Sequence, residues 1–230
     1  MQRYFLNQKS NQITGQDALH ITKVMRMKTD DQVIVCYDQR CFLSSLIIDN
    51  SGVFFKEIQE LEGYKTPYIT LIQGLPKHPK NELVTKYATL FGASSILFIP
   101  MMRSIAKLDN EANKQKRLEL IAKEAAELAH RFDVPSIHLL SSMKNVDWHD
   151  FDHVLLADEN EKSMTLNEAL PEVKSTMKIA VIIGPEGGIT EQERDYFKSI
   201  NAIAVSLGKN ILPTELAALY ALSYLSIKNT

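Results

Sequence analysis

The sequence has few cysteines and lacks long apolar runs. Its 230 residues include two cysteines, Cys36 and Cys41, too few for a disulfide framework, and a zinc site would need two further ligands. We therefore expect two reduced thiols in a β-hairpin and no metal. The apolar runs are shorter than the roughly 18 residues of a membrane span, and the first ten residues lack the apolar core and the cleavage site of a secretory signal. These absences predict a cytoplasmic protein.

The sequence also lacks an excess of charge of one sign. Lys and Arg number 26 and Asp and Glu number 28, which gives a formal net charge of −2 at pH 7. This balance argues against a protein that coats nucleic acid through bulk positive charge, but it allows a local basic face directed at a folded RNA. With 45% hydrophobic residues, the chain has enough apolar material for one large core or two unequal ones.

The first part of the chain is β-rich. Short β-type runs, separated by polar turns, cover residues 32–37, 41–48 and 53–58. This spacing predicts a small antiparallel barrel or sheet. Residues 20–27 have the apolar spacing of one short amphipathic helix. Glycine and proline bracket polar residues at 62–67, a pattern typical of a linker, so we place a first domain at residues 1–66.

From residue 67 onward, apolar runs alternate with helical patterns. The apolar runs cover residues 68–75, 95–99, 137–140, 153–157, 179–183 and 202–207. Strands that are apolar on nearly every residue are buried on both faces and belong to parallel sheets. Helical spacing occurs at 81–92 and at 112–132, where the second pattern has a charged face typical of a solvated surface. We predict an α/β domain over residues 67–230.

A glycine turn follows one of these runs. Three of the nine glycines lie between Gly184 and Gly188, directly before a helix that Thr190 and Glu193 would start as a capping box. Glycines at the carboxyl end of a strand let the backbone approach a ligand closely, and ligands bind at that edge of open α/β sheets. The spacing matches neither the dinucleotide fingerprint nor a Walker loop. On these residues alone, a ligand loop and a plain tight turn of an α/β enzyme are both open.

A second strand, glycine turn and helix follow at residues 206–215. The rest of that helix is apolar nearly all round, which indicates burial in the core or in a subunit interface. We expect the two glycine turns to form one cleft.

The chain resembles a known family over nearly its full length. The matching stretches are Arg3-Tyr4-Phe5, His20 with Val24-Met25-Arg26-Met27, Gly74-Leu75-Pro76-Lys77, Arg103-Ser104, Lys123-Glu124-Ala125-Ala126-Glu127 with Arg131 and Val134-Pro135, Gly184-Pro185-Glu186-Gly187-Gly188, Leu207-Gly208, and Ile211-Leu212 with Thr214-Glu215 and Ala217. Their order and spacing together are specific. The sequence is similar to the bacterial 16S ribosomal RNA uracil-N3 methyltransferases of the SPOUT superfamily.

The resemblance implies an N-terminal PUA-like β-barrel that binds RNA and a C-terminal α/β domain that forms a trefoil knot. It implies S-adenosylmethionine as the cofactor and N3 of a uridine in 16S rRNA of the small ribosomal subunit as the methylated atom. It also implies a homodimer formed through the C-terminal helix. Two alternatives remain: a knotted RNA-binding protein with lost or altered catalysis, and a SPOUT methyltransferase that acts on another RNA.

The resemblance also assigns residues to the site. The cofactor cradle would consist of Ile183, Gly184, Pro185, Glu186, Gly187, Gly188, Leu207, Gly208, Asn210, Ile211 and Leu212. The residues expected to contact RNA are Arg3, Arg26, Lys77, Arg103 and Arg131. The catalytic candidates are Arg103, Lys209 and Glu215.

This chain departs from the family in one important motif. Family members read G-P-R-I-L-R-T-E-T-A where this chain has residues 208–217, so both arginines of that motif are missing. Pro213 stands in place of the second arginine. If that arginine steadies the target base, this chain needs another cation, and Lys209 is the nearest in sequence. We interpret the chain as a divergent member.

Overall fold

The computed structural model describes residues 1–228, which form two units. The first unit comprises Met1–Tyr64 and Ala126–Val134, and the second comprises Lys65–Ala125 and the chain from Pro135 onward. Sequence patterns did not indicate that residues 126–134 belong to the first unit. Residues 229–230 of the predicted second domain lie outside the described part of the chain.

The first unit is built on a five-stranded sheet. Its strands are β1 (Arg3–Phe5), β2 (Gln12–Ile13), β3 (Gln32–Tyr37), β4 (Arg40–Asp49) and β5 (Gly52–Leu61). They lie in the order β1-β3-β4-β5-β2, with β1 parallel to β3 and the other pairs antiparallel. Every second residue of β4 between Phe42 and Leu46 is buried, as a half-buried strand requires, and the core includes Val33, Val35 and Phe55.

The helix predicted at residues 20–27 begins at Gly15 and ends at Val24 in the structure. A short helix α1 (Gly15–Leu19) continues into a π-helical turn, His20–Val24, and Ile21 is buried in the core of the unit. The helix ends there because Arg26 adopts a left-handed conformation, with φ of 53°. The guanidinium-bearing side chain of Arg26 is exposed.

The expectation of two reduced thiols was wrong. Cys36 and Cys41 are direct cross-strand partners in the β3–β4 hairpin, and they form a disulfide. The hairpin closes over Asp38 and Gln39, both with positive φ, so the two strands leave the turn in register. The predicted hairpin is therefore confirmed, and its register brings the two sulfur atoms together.

Two of the arginines expected to contact RNA are buried in the first unit. Arg3 is 6% exposed, and its Nη1 donates to the carbonyl oxygens of His130 and Arg131. Its guanidinium carbon lies 4.7 Å from the centre of the Phe132 ring. Arg131 is also 6% exposed and donates two hydrogen bonds to the carboxylate of Asp133. Both guanidiniums stabilise the fold, so we do not propose them as RNA contacts.

The second unit contains a six-stranded sheet in which every pairing is parallel. Its strands are β6 (Tyr68–Gly74), β7 (Ser95–Ile99), β8 (Ser136–Leu139), β9 (His153–Ala157), β10 (Lys178–Ile183) and β11 (Ile203–Val205). They lie in the order β11-β9-β10-β6-β7-β8. The central strands β6 and β10 are buried at every position after their first residue. All six predicted apolar runs are strands of this sheet.

Five α-helices of the described chain begin in the second unit. They are α2 (Lys80–Leu90), α3 (Glu111–Leu128), α4 (Leu166–Ala169), α5 (Glu191–Ser199) and α6 (Thr214–Lys228), and the last three residues of α3 belong to the first unit. The predicted capping box is confirmed, since Thr190 and Glu193 bond reciprocally at the start of α5. Helix α6 packs against α2 and β10. None of the described helices is both long and apolar enough to cross a membrane.

We predict that Arg3→Ala destabilises the protein. The substitution removes a charged donor from one buried and one partly buried carbonyl group, and a hydrogen bond to a charged group contributes about 1.5–3 kcal/mol. Denaturant unfolding checks the loss. Arg26→Ala is the matched control, because that side chain is exposed and its removal should change stability by about 0.5 kcal/mol or less. Equal stability of the two variants would contradict the structural role of Arg3.

Candidate active site

Three loops of the second unit meet at the carboxyl edge of the sheet and enclose a cavity. They follow β9, β10 and β11, and the cavity has a volume of about 550 Å³. Its lining includes all eleven residues of the predicted cradle: Ile183, Gly184, Pro185, Glu186, Gly187, Gly188, Leu207, Gly208, Asn210, Ile211 and Leu212. The structure therefore brings the two glycine turns together, at the edge where open α/β sheets bind ligands.

The loop after β10 passes so close to its neighbours that side chains are excluded at two positions. A Cβ atom on Gly74, at the end of β6, would lie 2.5 Å from the backbone nitrogen of Pro185. A Cβ atom on Gly187 would lie 2.7 Å from Cβ of Arg103. Both distances are shorter than any contact between real atoms of this kind. Glycine at these positions therefore determines where the loop lies against the sheet.

A buried hydrogen-bond network ties this loop to the start of α6. Nε2 of Gln73 donates to Oγ1 of Thr214 over 2.7 Å, and that hydroxyl donates to the carbonyl oxygen of Gly184 over 2.5 Å. Gln73 is fully buried, and the network joins β6, the glycine loop and α6. Sequence reasoning missed Gln73, although a polar residue inside the apolar run at 68–75 was a usable signal.

The loop after β9 brings acidic side chains to the cavity, which sequence reasoning also missed. Arg194 of α5 donates two hydrogen bonds to Asp158, over 2.7 and 2.9 Å, and one to Glu159 over 3.3 Å. Burial alone would raise the pKa of Asp158, but the hydrogen bonds from Arg194 and from the Asn160 amide outweigh it and lower the pKa. Asp158 thus stays ionised inside the wall of the cavity.

Glu161 organises the same loop. Its Oε1 accepts hydrogen bonds from the backbone amides of Met164 and Ser163 and from the Ser163 hydroxyl. The amide of Met164, followed by the two donors of Ser163, lowers the pKa of Glu161 to about 2. The carboxylate lines the cavity and holds residues 161–164 in a turn.

The catalytic candidates differ in where they lie. Lys209 is exposed and lines the cavity, and Pro213 lines it too. Glu215 lies behind the lining in the first turn of α6 and pairs with Nζ of Lys80 over 2.9 Å. Lys80, which sequence reasoning missed, lines the cavity and also lies 3.8 Å from Oε1 of Glu186.

Two of the residues expected to contact RNA lie close to this cavity. Arg103 is exposed, and its Nη1 donates to the carbonyl oxygen of Gly187 over 3.1 Å. Lys77 is exposed, and its backbone amide donates to Oε1 of Glu186 over 3.0 Å. Arg26 belongs to the first unit, where it is exposed.

Residues 1–228 contain no group of three or more His, Cys, Asp or Glu side chains arranged to hold a metal ion.

We predict that Glu161→Gln destabilises the second unit in a pH-dependent way. The pKa of Glu161 is lower in the folded protein, so its stabilising effect is complete above the unfolded value of about 4.3 and is lost as the pH falls toward about 2. Denaturant unfolding at pH 7, 5, 4 and 3 should show the difference from wild type shrinking with acidity. Glu172→Gln, an exposed carboxylate paired with Lys174, is the control. A difference that did not vary with pH would contradict the role of Glu161.

Comparison with known proteins places this site in a family. A family model described as an RNA methyltransferase domain matches residues 64–226, and one described as an RNA methyltransferase PUA domain matches residues 13–43. Ribosomal RNA small subunit methyltransferase E of Bacillus subtilis is 33% identical, and the match covers 98% of this chain and 96% of that protein. The protein of the same name from Mesomycoplasma hyopneumoniae is 25% identical, with 97% and 98% covered.

Solved structures show the same fold. The crystal structure of a ribosomal RNA small subunit methyltransferase E from Neisseria gonorrhoeae bound to S-adenosyl methionine matches with a TM-score of 0.81 and 21% identity, covering 99% of this chain and 97% of that one. Together with the parallel sheet and the PUA-type match, this likeness confirms the predicted fold class. The chain belongs to the ribosomal RNA small subunit methyltransferase E family of RNA methyltransferases.

Proposed function

We propose that the chain transfers a methyl group from S-adenosylmethionine to N3 of a uridine in 16S rRNA of the small ribosomal subunit. The observation that carries the proposal is the convergence of all eleven predicted cradle residues on one cavity at the carboxyl edge of the sheet. Relatives named for methylation of small-subunit rRNA match the chain over nearly its whole length, which supports this substrate. We place the reaction in the cytoplasm.

The cavity suits S-adenosylmethionine in size and chemistry. Its volume of about 550 Å³ lies within the range of roughly 300–1,000 Å³ typical of small-molecule sites. The glycine turns offer backbone groups, and Leu207 and Leu212 offer apolar surface. A Cβ atom on Gly208 would meet nothing within 4 Å, so the space in front of this turn is open. S-adenosylmethionine supplies a methyl group on a positively charged sulfur, so no metal is needed.

The chemistry at N3 sets two demands on the protein. N3 of uridine carries a proton and lies on the Watson–Crick edge, so the base must be unpaired and must lose that proton. Exposed cations beside the cavity, Arg103 and Lys77, are our candidates for holding the RNA there, and Arg26 is our candidate on the first unit. Guanidinium groups suit this task because they bind phosphates and stack on bases.

We infer a homodimer from the C-terminal helix. Three large apolar side chains of α6 are exposed on the single chain: Leu216 at 48%, Tyr220 at 51% and Ile227 at 71%. Exposed apolar surface on a helix of this kind is typical of a subunit interface. A second copy of the chain is the occupant that we propose for it.

One observation favours an alternative function. Pro213 lines the cavity at the position where the related motif has an arginine, and proline has neither charge nor a hydrogen-bond donor. An RNA-binding protein that kept the cofactor cavity but lost or altered catalysis would also fit. Binding of S-adenosylmethionine without methylation of small-subunit RNA would favour this alternative.

The proposed function predicts that small-subunit rRNA lacks one methylated nucleotide when the gene is deleted. Deleting the gene should remove one N3-methyluridine from small-subunit rRNA, and mass spectrometry of nuclease fragments detects the loss. Purified wild-type protein and S-adenosylmethionine should restore the mark on small subunits from the deletion strain. An unchanged methylation map in the deletion strain would overturn the proposal.

We further predict that Gly74→Ala weakens binding of S-adenosylmethionine. The added methyl group would collide with Pro185 and displace the glycine loop, so the loop would no longer match the cofactor. Titration calorimetry should show a loss of affinity of at least about tenfold. The control is Gly92→Ala, where a Cβ atom meets nothing within 4 Å and only the positive φ opposes the change. Equal affinity of the two variants would show that the close approach does not shape the cradle.

A further inference from the structure

Methylation at N3 requires a group that accepts the N3 proton, and this requirement rests on the proposed function. The described carboxylates that line the cavity are Asp158, Glu159, Glu161 and Glu186. Both oxygens of Asp158 accept hydrogen bonds from Arg194, and Oε1 of Glu161 accepts three. These hydrogen bonds hold the loop after β9 and lower the pKa of both carboxylates, so Asp158 and Glu161 are weak proton acceptors.

Glu186 differs from Asp158 and Glu161 because its carboxylate accepts a single hydrogen bond in the described part of the chain. It lies in the glycine loop after β10, and its side chain is 22% exposed. The backbone amide of Lys77 donates to Oε1 over 3.0 Å, which fixes the carboxylate at the wall of the cavity. In the described part of the chain, Oε2 has no hydrogen-bond partner. One oxygen thus holds the group in place while the other is free to take a proton.

The cation beside Glu186 distinguishes it from Glu159. Lys80 lies 3.8 Å from Glu186, whereas Arg194, the partner of Glu159, is also bound to Asp158 and to Glu191. When a carboxylate takes a proton from uridine, the negative charge moves from the carboxylate to the uracil. The Lys80 ammonium lies beside the cavity, 2.9 Å from Glu215, and shares its charge with this one other carboxylate. Arg194 is less suited to offset new negative charge, because two other carboxylates, Asp158 and Glu191, already share its charge.

We propose that Glu186 is the catalytic base that accepts the N3 proton of the target uridine, with Lys80 offsetting the charge that develops on the uracil. The N3–H bond breaks as the proton bonds to a carboxylate oxygen of Glu186. The electron pair left on N3 forms the bond to the methyl carbon, and the pair of the carbon–sulfur bond leaves with sulfur as a neutral thioether. Glu186 then releases its proton to water.

The test is Glu186→Gln, which keeps the shape and an acceptor for the Lys77 amide but is not basic. Methylation of small subunits from the deletion strain should fall by about 10²–10⁴-fold at pH 7. The residual rate should rise about tenfold per pH unit between pH 7 and 9, as solvent hydroxide replaces the missing base, while the wild-type rate changes little. The affinity for S-adenosylmethionine, measured by calorimetry, should stay within about twofold.

Further variants separate a chemical role from a structural one. Glu172→Gln, remote from the cavity, should retain the wild-type rate. Glu186→Ala should regain part of its activity when formate is added as a small external base. A wild-type rate in Glu186→Gln, a loss that is independent of pH, or a large loss of cofactor affinity would overturn the assignment of Glu186. Wild-type protein that forms no N3-methyluridine would instead overturn the proposed function, and the assignment with it.

Discussion

The hydrogen bonds that join Gln73, Thr214 and the carbonyl of Gly184 hold the candidate site together. They connect a central strand, the glycine loop and the C-terminal helix through fully or largely buried groups. Breaking one of these bonds would leave a buried polar group unsatisfied, which costs about 1–3 kcal/mol. The glycine loop and the start of α6, which both line the cavity, are therefore held against a central strand of the sheet.

Much of the second unit could be predicted from the sequence because its strands are buried on both faces. A strand such as β10 is apolar at every buried position, and this signal does not depend on distant partners. The capping box at Thr190 and the glycines at 184–188 were equally local signals. These local features were sufficient to predict the strands, the start of α5 and the two turns that meet at the cavity.

Features that depend on long-range contacts could not be predicted in this way. Arg3 looks like a surface cation, but its partners, His130 and Arg131, lie more than 120 residues away. The disulfide depends on the register of one hairpin, and the acidic wall depends on Arg194 reaching back to Asp158. Residue types and spacing do not indicate which distant residues are in contact. These roles could therefore be assigned only from the three-dimensional structure.

The pairing of charges inside the cavity wall has a consequence for ionic strength. Asp158 and Glu159 are balanced by Arg194, and Glu161 by backbone amides, whereas Arg103, Lys77 and Lys209 stand exposed around the opening. Dissolved ions screen exposed charges far more than partly buried pairs, and contacts with phosphates release counterions. If these exposed cations bind RNA as proposed, added salt should weaken RNA binding at a lower concentration than it weakens cofactor binding. The two ligands would then bind to surfaces that respond differently to ionic strength.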